Sequence, residues 1–238
     1  MDRKKILIIA GFILLMAGCT DFVMICSLNP FYLKKDITLS PEIEGRWSAT
    51  PLRSKSDSSQ HNSTHWRVAD TTSVWHIEQF VADKTVKTAK GNDSTYYEPA
   101  NYYTVRLTGN DPDTSTFEFK MVLFRINDEL YADFEPAGNP AFKMSRLTYE
   151  NYFSVHTLAR VTINEHYLKI SWLGADYMKD MIENKHIRVS YKWVDSAQRL
   201  LLTGSSDQLT NMIKQYAGEK RFIDWDNQSA MLKLTRIN

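Results

Sequence analysis

Cysteine is almost absent: two in 238 residues, Cys19 and Cys26, both close to the start. The remaining body can form no internal disulfide, Cys-ligated metal site or thiol nucleophile, so packing alone has to hold it. Glycine and proline are scarce, at 9 and 7 residues. There is no phosphate-cradling Gly-rich loop, no dinucleotide fingerprint and no Gly-x-Ser-x-Gly elbow. No cofactor is expected. Charge of one sign is missing too, with 29 basic residues against 28 acidic. A near-neutral body lacks the basic surface that neutralises phosphates, which excludes nucleic acid as the partner. No segment repeats at a solenoid or propeller period.

What is present is ordinary for a folded protein: 43% hydrophobic and 24% charged residues, with a generous 12% aromatic. The N-terminus carries the most specific signal. Asp2-Arg3-Lys4-Lys5 is a basic start, residues 6–16 are an uncharged apolar run, and Ala17-Gly18-Cys19 supplies small residues for cleavage. The run Leu15-Met16-Ala17-Gly18-Cys19 resembles a bacterial lipobox, with Met16 where Leu is usual. That resemblance implies a lipoprotein signal peptide over residues 1–18, lipidation of Cys19, and a bacterial cell membrane as the partner of the anchor. Thr20 after the Cys implies the outer membrane, facing the periplasm, in a Gram-negative source. Cys26 fails the same pattern because Ile25 is too large. The alternative is an uncleaved span over residues 6–28, with Asp21 inside hydrocarbon at ~2.5–3.5 kcal/mol.

Residues 19–40 read as a membrane-proximal tether, and residues 41–238 as a single β-rich domain. The tether's Phe22, Val23, Met24, Ile25, Phe31, Tyr32 and Leu33 suit either the membrane interface or a cover for one end of the domain. Beyond Ser40-Pro41 the pattern is mostly of period two. Tyr103, Val105 and Leu107 alternate with Thr104, Arg106 and Thr108. Phe117, Phe119, Met121 and Leu123 give way to Val122, Phe124 and Ile126, a phase change that predicts a bulge or a passage between sheet faces. Asn127-Asp128-Glu129 predicts a tight turn into residues 130–135, and Asn164-Glu165 a turn joining residues 155–163 to 167–173. Residues 189–193, 200–203 and 230–237 complete the strands. Residues 176–185 and 206–217 have helical period, the second opened by a Ser205/Gln208 capping box. Residues 53–63 and 87–99 read as loops. The expected fold is an antiparallel meander forming a barrel or strongly curved sheet with two covering helices.

Two resemblances enter here. The segments Leu130-Tyr131-Ala132-Asp133-Phe134-Glu135-Pro136, Val155-His156-Thr157-Leu158-Ala159-Arg160-Val161, Tyr177-Met178-Lys179 and Leu200-Leu201-Leu202-Thr203-Gly204-Ser205, followed by Gln208-Leu209, resemble a family of uncharacterised bacterial lipoproteins. This implies lipoprotein status and no particular activity. Glu44-Gly45-Arg46-Trp47 with Arg236 is similar to the lipocalin signature. That likeness implies that Trp47 packs beneath Arg236 in a barrel, with Gly45 allowing close approach. Two helices between the later strands depart from the lipocalin plan.

Candidate chemistry is sparse. His61 and His65 have i, i+4 spacing but sit in a Ser-rich loop without a neighbouring Glu, so no metal site is expected. His156 shares the polar phase of its strand with Arg160. With Asp133 and Glu135 it forms a possible acid–base cluster, the alternative being a cross-strand ionic network. Tyr96, Tyr97, Tyr102, Tyr103, Trp172, Tyr191 and Trp193 suit a core, a cavity wall or sugar stacking. Three functional readings follow. The first is a non-enzymatic envelope lipoprotein binding an apolar or amphipathic small molecule, in a cavity of ~300–1,000 Å³, or an envelope protein. The second is an envelope hydrolase-like enzyme using His156 with Asp133 or Glu135. The third is an assembly subunit docking through an apolar patch.

Overall fold

The computed structural model describes residues 25–50, 74–87, 93–108, 117–137, 154–194, 200–216 and 231–237. Eleven strands and two α-helices lie within them: β1 (Cys26–Ser27), β2 (Gly45–Thr50), β3 (Val74–Lys87), β4 (Asp93–Thr108), β5 (Phe117–Ile126), β6 (Glu129–Pro136), β7 (His156–Ile163), β8 (Tyr167–Trp172), α1 (Ala175–Glu183), β9 (Tyr191–Trp193), β10 (Leu200–Leu202), α2 (Ser206–Tyr216) and β11 (Met231–Ile237).

Strands β2 to β8 pair antiparallel in chain order, and β11 closes the ring between β8 and β2. The result is a closed eight-stranded, up-and-down barrel, lipocalin-like in architecture. The two helices, with β9 and β10, occupy the connection between its seventh and eighth strands.

The period-two pattern decides what faces inward. Trp47, Trp75, Ile77, Tyr103, Val105, Met121, Leu123, Phe134, Val161, Leu168, Ile170, Trp172, Leu232 and Leu234 all bury into one interior cluster. Ala132 stands opposite Ala159, which leaves room for the larger rings. Trp75, Phe134 and Trp172 meet with centroids 5.9–6.4 Å apart towards one end. Full burial of each large side chain contributes about 1.5–3 kcal/mol.

Strand β5 corrects one expectation. Its pairing with β6 runs without a shift from Phe119 to Ile126, so the change of apolar phase marks no bulge. Met121 and Leu123 face the barrel interior, while Phe124 and Ile126 face a second core outside it. Both faces are buried there, which is why both phases are apolar. The register shift lies instead in the β3–β4 pair, between Gln79 and Val81. The loop expected over residues 87–99 is also corrected, since residues from Asp93 onward belong to β4. The alternation of the sequence does not by itself reveal β3. Residues 53–63 lie outside the described residues.

The second core lies between the outer face of β5–β7 and the two helices. It joins Phe124, Tyr131 and Leu158 to Met178, Met181, Leu209, Met212 and Ile213. The capping box at α2 forms as written: Ser205 N donates to Gln208 Oε1 at 2.9 Å and Gln208 N to Ser205 Oγ at 3.4 Å. Asn127 and Asp128, at φ 50° and 65°, make the two-residue turn between β5 and β6. Asn164 Oδ1 accepts from the N–H groups of His166 and Tyr167 at 2.9 and 2.8 Å, fixing the β7–β8 turn.

Residues 25–40 are laid onto this face as a strap. Ile25 and Phe31 are fully buried in the outer core. Strand β1 pairs with β7 and, in parallel, with β10, to which β9 adds an edge. The strap then crosses to β5, where Ile37 bridges Phe124 and Thr38 N donates to Leu123 O at 2.9 Å. The apolar tether residues within the description therefore cover the domain. Cys26 consequently lies within the packed body, outside any disulfide, which corrects the expectation of a cysteine-free body. Residues 1–24, including Cys19, lie outside the described residues.

Candidate functional site

Asp133 on β6 and His156, the first residue of β7, both take the outward phase of adjacent strands. On a bare barrel they would be solvated. The strap and helices cover them instead, leaving Asp133 1% and His156 8% exposed. His156 Nδ1 lies 2.7 Å from Asp133 Oδ1. The second carboxylate oxygen, Oδ2, accepts from the backbone N–H of Phe31 at 2.8 Å. The Phe31 carbonyl in turn accepts from Thr210 Oγ1 of α2 at 3.2 Å. One carboxylate thus joins β6, β7 and the strap, and the strap joins α2.

Burial pushes the Asp133 carboxyl above its usual range, only partly offset by the hydrogen bond and charge of His156. Burial also disfavours the His156 imidazolium. The hydrogen bond and charge of Asp133 outweigh that and raise its pKa.

The other members of the expected cluster go elsewhere. Glu135 accepts from Ser154 Oγ at 3.1 Å and pairs with Lys120 at 3.5 Å. Arg160 pairs with Glu129 at 3.5 Å. Asp133 and His156 have the geometry of the orienting half of a catalytic triad. Among the described residues, however, nothing hydrogen-bonds His156 Nε2, and Asp133 is committed on both oxygens. What the sequence concealed is the third partner. A main-chain N–H such as that of Phe31 has no side-chain signature.

The residues similar to the lipocalin signature meet at the barrel end where β2 starts and β11 finishes. The Arg236 guanidinium carbon lies 4.3 Å from the centroid of the Trp47 ring. Its two terminal nitrogens donate to the Glu44 and Glu42 carbonyls at 3.0 and 2.5 Å. Trp47 Nε1 donates to Ile43 O at 2.8 Å, so the buried indole is satisfied. Gly45 has φ +129°, and a Cβ there would stand 3.0 Å from Arg236 Nη1. Only glycine meets both demands without strain.

The named aromatics divide. Tyr103 and Trp172 are in the barrel core, whereas Tyr102 stacks on Phe80 outside it at 4.9 Å. Tyr191 and Trp193 stand exposed on β9 in a T-shaped pair 6.0 Å apart. The side chains of Tyr96 and Tyr97, together with His61 and His65, lie outside the described residues. Away from the barrel, an open groove of about 500 Å³ separates Lys185, His186 and Arg188 from Asn211 and Gln215 of α2. Among the described residues no three His, Cys, Asp or Glu side chains gather as a metal would require. No helix among them is long and apolar enough to cross a membrane. Comparisons with family models, with curated proteins and with solved structures find no match to this chain.

Proposed function

We propose that this chain is a non-enzymatic bacterial envelope lipoprotein, anchored through Cys19, whose barrel is a rigid platform for a partner protein. A small apolar ligand needs an empty interior, commonly ~300–1,000 Å³ in ligand-binding proteins. Here Trp47, Trp75, Tyr103, Met121, Phe134 and Trp172 occupy that space. These large buried side chains are the observation that supports a protein partner over a ligand.

A surface for that partner is at hand. The partners of β3 and β4 outside their own hairpin end at Ile77 and Tyr103. Beyond them, among the described residues, the two strands continue paired only with each other, from Val81–Pro99 to Lys87–Asp93. Lone two-stranded ribbons are marginal in water and gain from being covered. This ribbon leaves the barrel at the end opposite the first residues of β7, where β1 pairs. The hydrolase-like reading keeps one specific support, the 2.7 Å His156–Asp133 pair.

The test is native mass spectrometry of the chain from Thr20 onward, purified without detergent. A mass with no small-molecule adduct is expected. A stoichiometric apolar adduct lost on denaturation would overturn the reading. Mass analysis of the membrane-extracted protein checks the anchor, with acylation at Cys19 expected and lost in Cys19→Ala.

A further inference from the structure

The small sheet β1–β10–β9 ends in an open edge of unusual composition. Within residues 185–194 Ile187 and Val189 point inward and are buried, while Lys185, His186, Arg188, Ser190, Tyr191, Lys192, Trp193 and Val194 are all exposed. The exposed set contains three permanently basic residues, an aromatic pair and no acid. Trp193 is 41% exposed and Val194 54%. Among the described residues β9 pairs only with β10.

Covalent reach places this edge near the anchor. Six Cα–Cα steps separate Cys19 from Ile25 by no more than about 20 Å, however they run. Two inter-strand steps, about 10 Å, then carry β1 to β9. Tyr and Trp partition to the headgroup level of a bilayer, and Lys and Arg are drawn to anionic lipid.

Resting on the anchoring reading above, we infer that Lys185–Val194 is a lipid-contact face. The edge meets side-on the anionic leaflet that holds the Cys19 anchor, with Tyr191 and Trp193 at the headgroup level on one side of β9 and Lys192 reaching phosphates from the other, beside Lys185 and Arg188. The anchor holds the protein to the membrane, and this face sets its orientation.

The test reconstitutes the full lipidated chain into phosphatidylethanolamine–phosphatidylglycerol vesicles whose acyl chains are brominated just below the headgroups. Tryptophan quenching is compared between wild type and Trp193→Phe. The expected result is a quenched emission component that disappears in W193F. It also weakens in a K185Q/R188Q/K192Q triple variant and in V194D, with thermal midpoints unchanged because all these side chains are exposed. Flotation with the vesicles while the Trp193 component stays unquenched overturns this inference and assigns the edge to a protein contact. Failure to float overturns the anchoring reading, and the inference with it.

Discussion

The backbone N–H of Phe31 donates to the buried carboxylate of Asp133 across 102 residues of sequence, at 2.8 Å. This bond fastens the N-terminal strap to the outside of the barrel, and His156 holds the same carboxylate from the other side. A buried ionised group of this kind costs desolvation free energy unless every lone pair facing protein is used. The use of both oxygens identifies the pair as a latch.

Removing the carboxylate strands a buried imidazole and a buried N–H. Asp133→Ala should therefore destabilise the protein by about 3–5 kcal/mol, read as a lowered urea midpoint. Asp133→Asn keeps an acceptor for one partner and should lose less.

The pair also sets a pH dependence. The folded-state pKa of His156 is raised, so its stabilisation is complete below the ordinary imidazole value of about 6.5. It is lost as pH rises through the folded value. Asp133 is raised as well and acts with the same sign, its part of the fall beginning at the ordinary carboxylate value of about 4. Stability should fall as pH climbs above about 6.5. In His156→Gln that part of the slope should vanish. A wild-type midpoint flat across this range would show that the pair does not titrate with folding.

Arg236 combines a cation–π contact with two charge-assisted hydrogen bonds. Arg236→Ala should cost about 2–4 kcal/mol. Arg236→Lys, which has no planar fork to span both carbonyls while stacking on Trp47, should recover little of that. Gly45→Ala should cost about 1–3 kcal/mol through its positive φ and the crowding of Arg236. Thermal melts of the three variants against wild type check all of these.

The strap belongs to the domain. A chain beginning at Ser40 loses Ile25 and Phe31 from the outer core, roughly 1.5–3 kcal/mol of burial each. It also uncovers Phe124 and Leu158. It should bind a hydrophobic dye and exchange amides faster along β7. A chain beginning at Thr20 should do neither.

The strands from Tyr103 onward, both helices and the α2 cap were legible because each rests on a local signal: alternation, helical period, or a side chain reaching its own backbone. Strand β3 escaped. Only Trp75 and Ile77 face the barrel before the strand runs out into the ribbon, too short an apolar alternation to read. Residues 93–99 read as loop for the same reason, since among the described residues that stretch of β4 pairs along its length with β3 alone.

By itself the sequence determined an antiparallel β meander with two amphipathic helices, a Gly-x-Trp near its start and an Arg near its end. These follow from short-range periodicity, which single residues impose on their neighbours. Tertiary structure alone decided three things: that six large side chains meet in the barrel core, that residues 25–40 form a strap, and that the third partner of Asp133 and His156 is a backbone amide. That meeting depends on inward side chains brought together from separate strands. The latch depends on a main-chain group that every residue except proline possesses. Neither quantity is written in any one stretch of sequence.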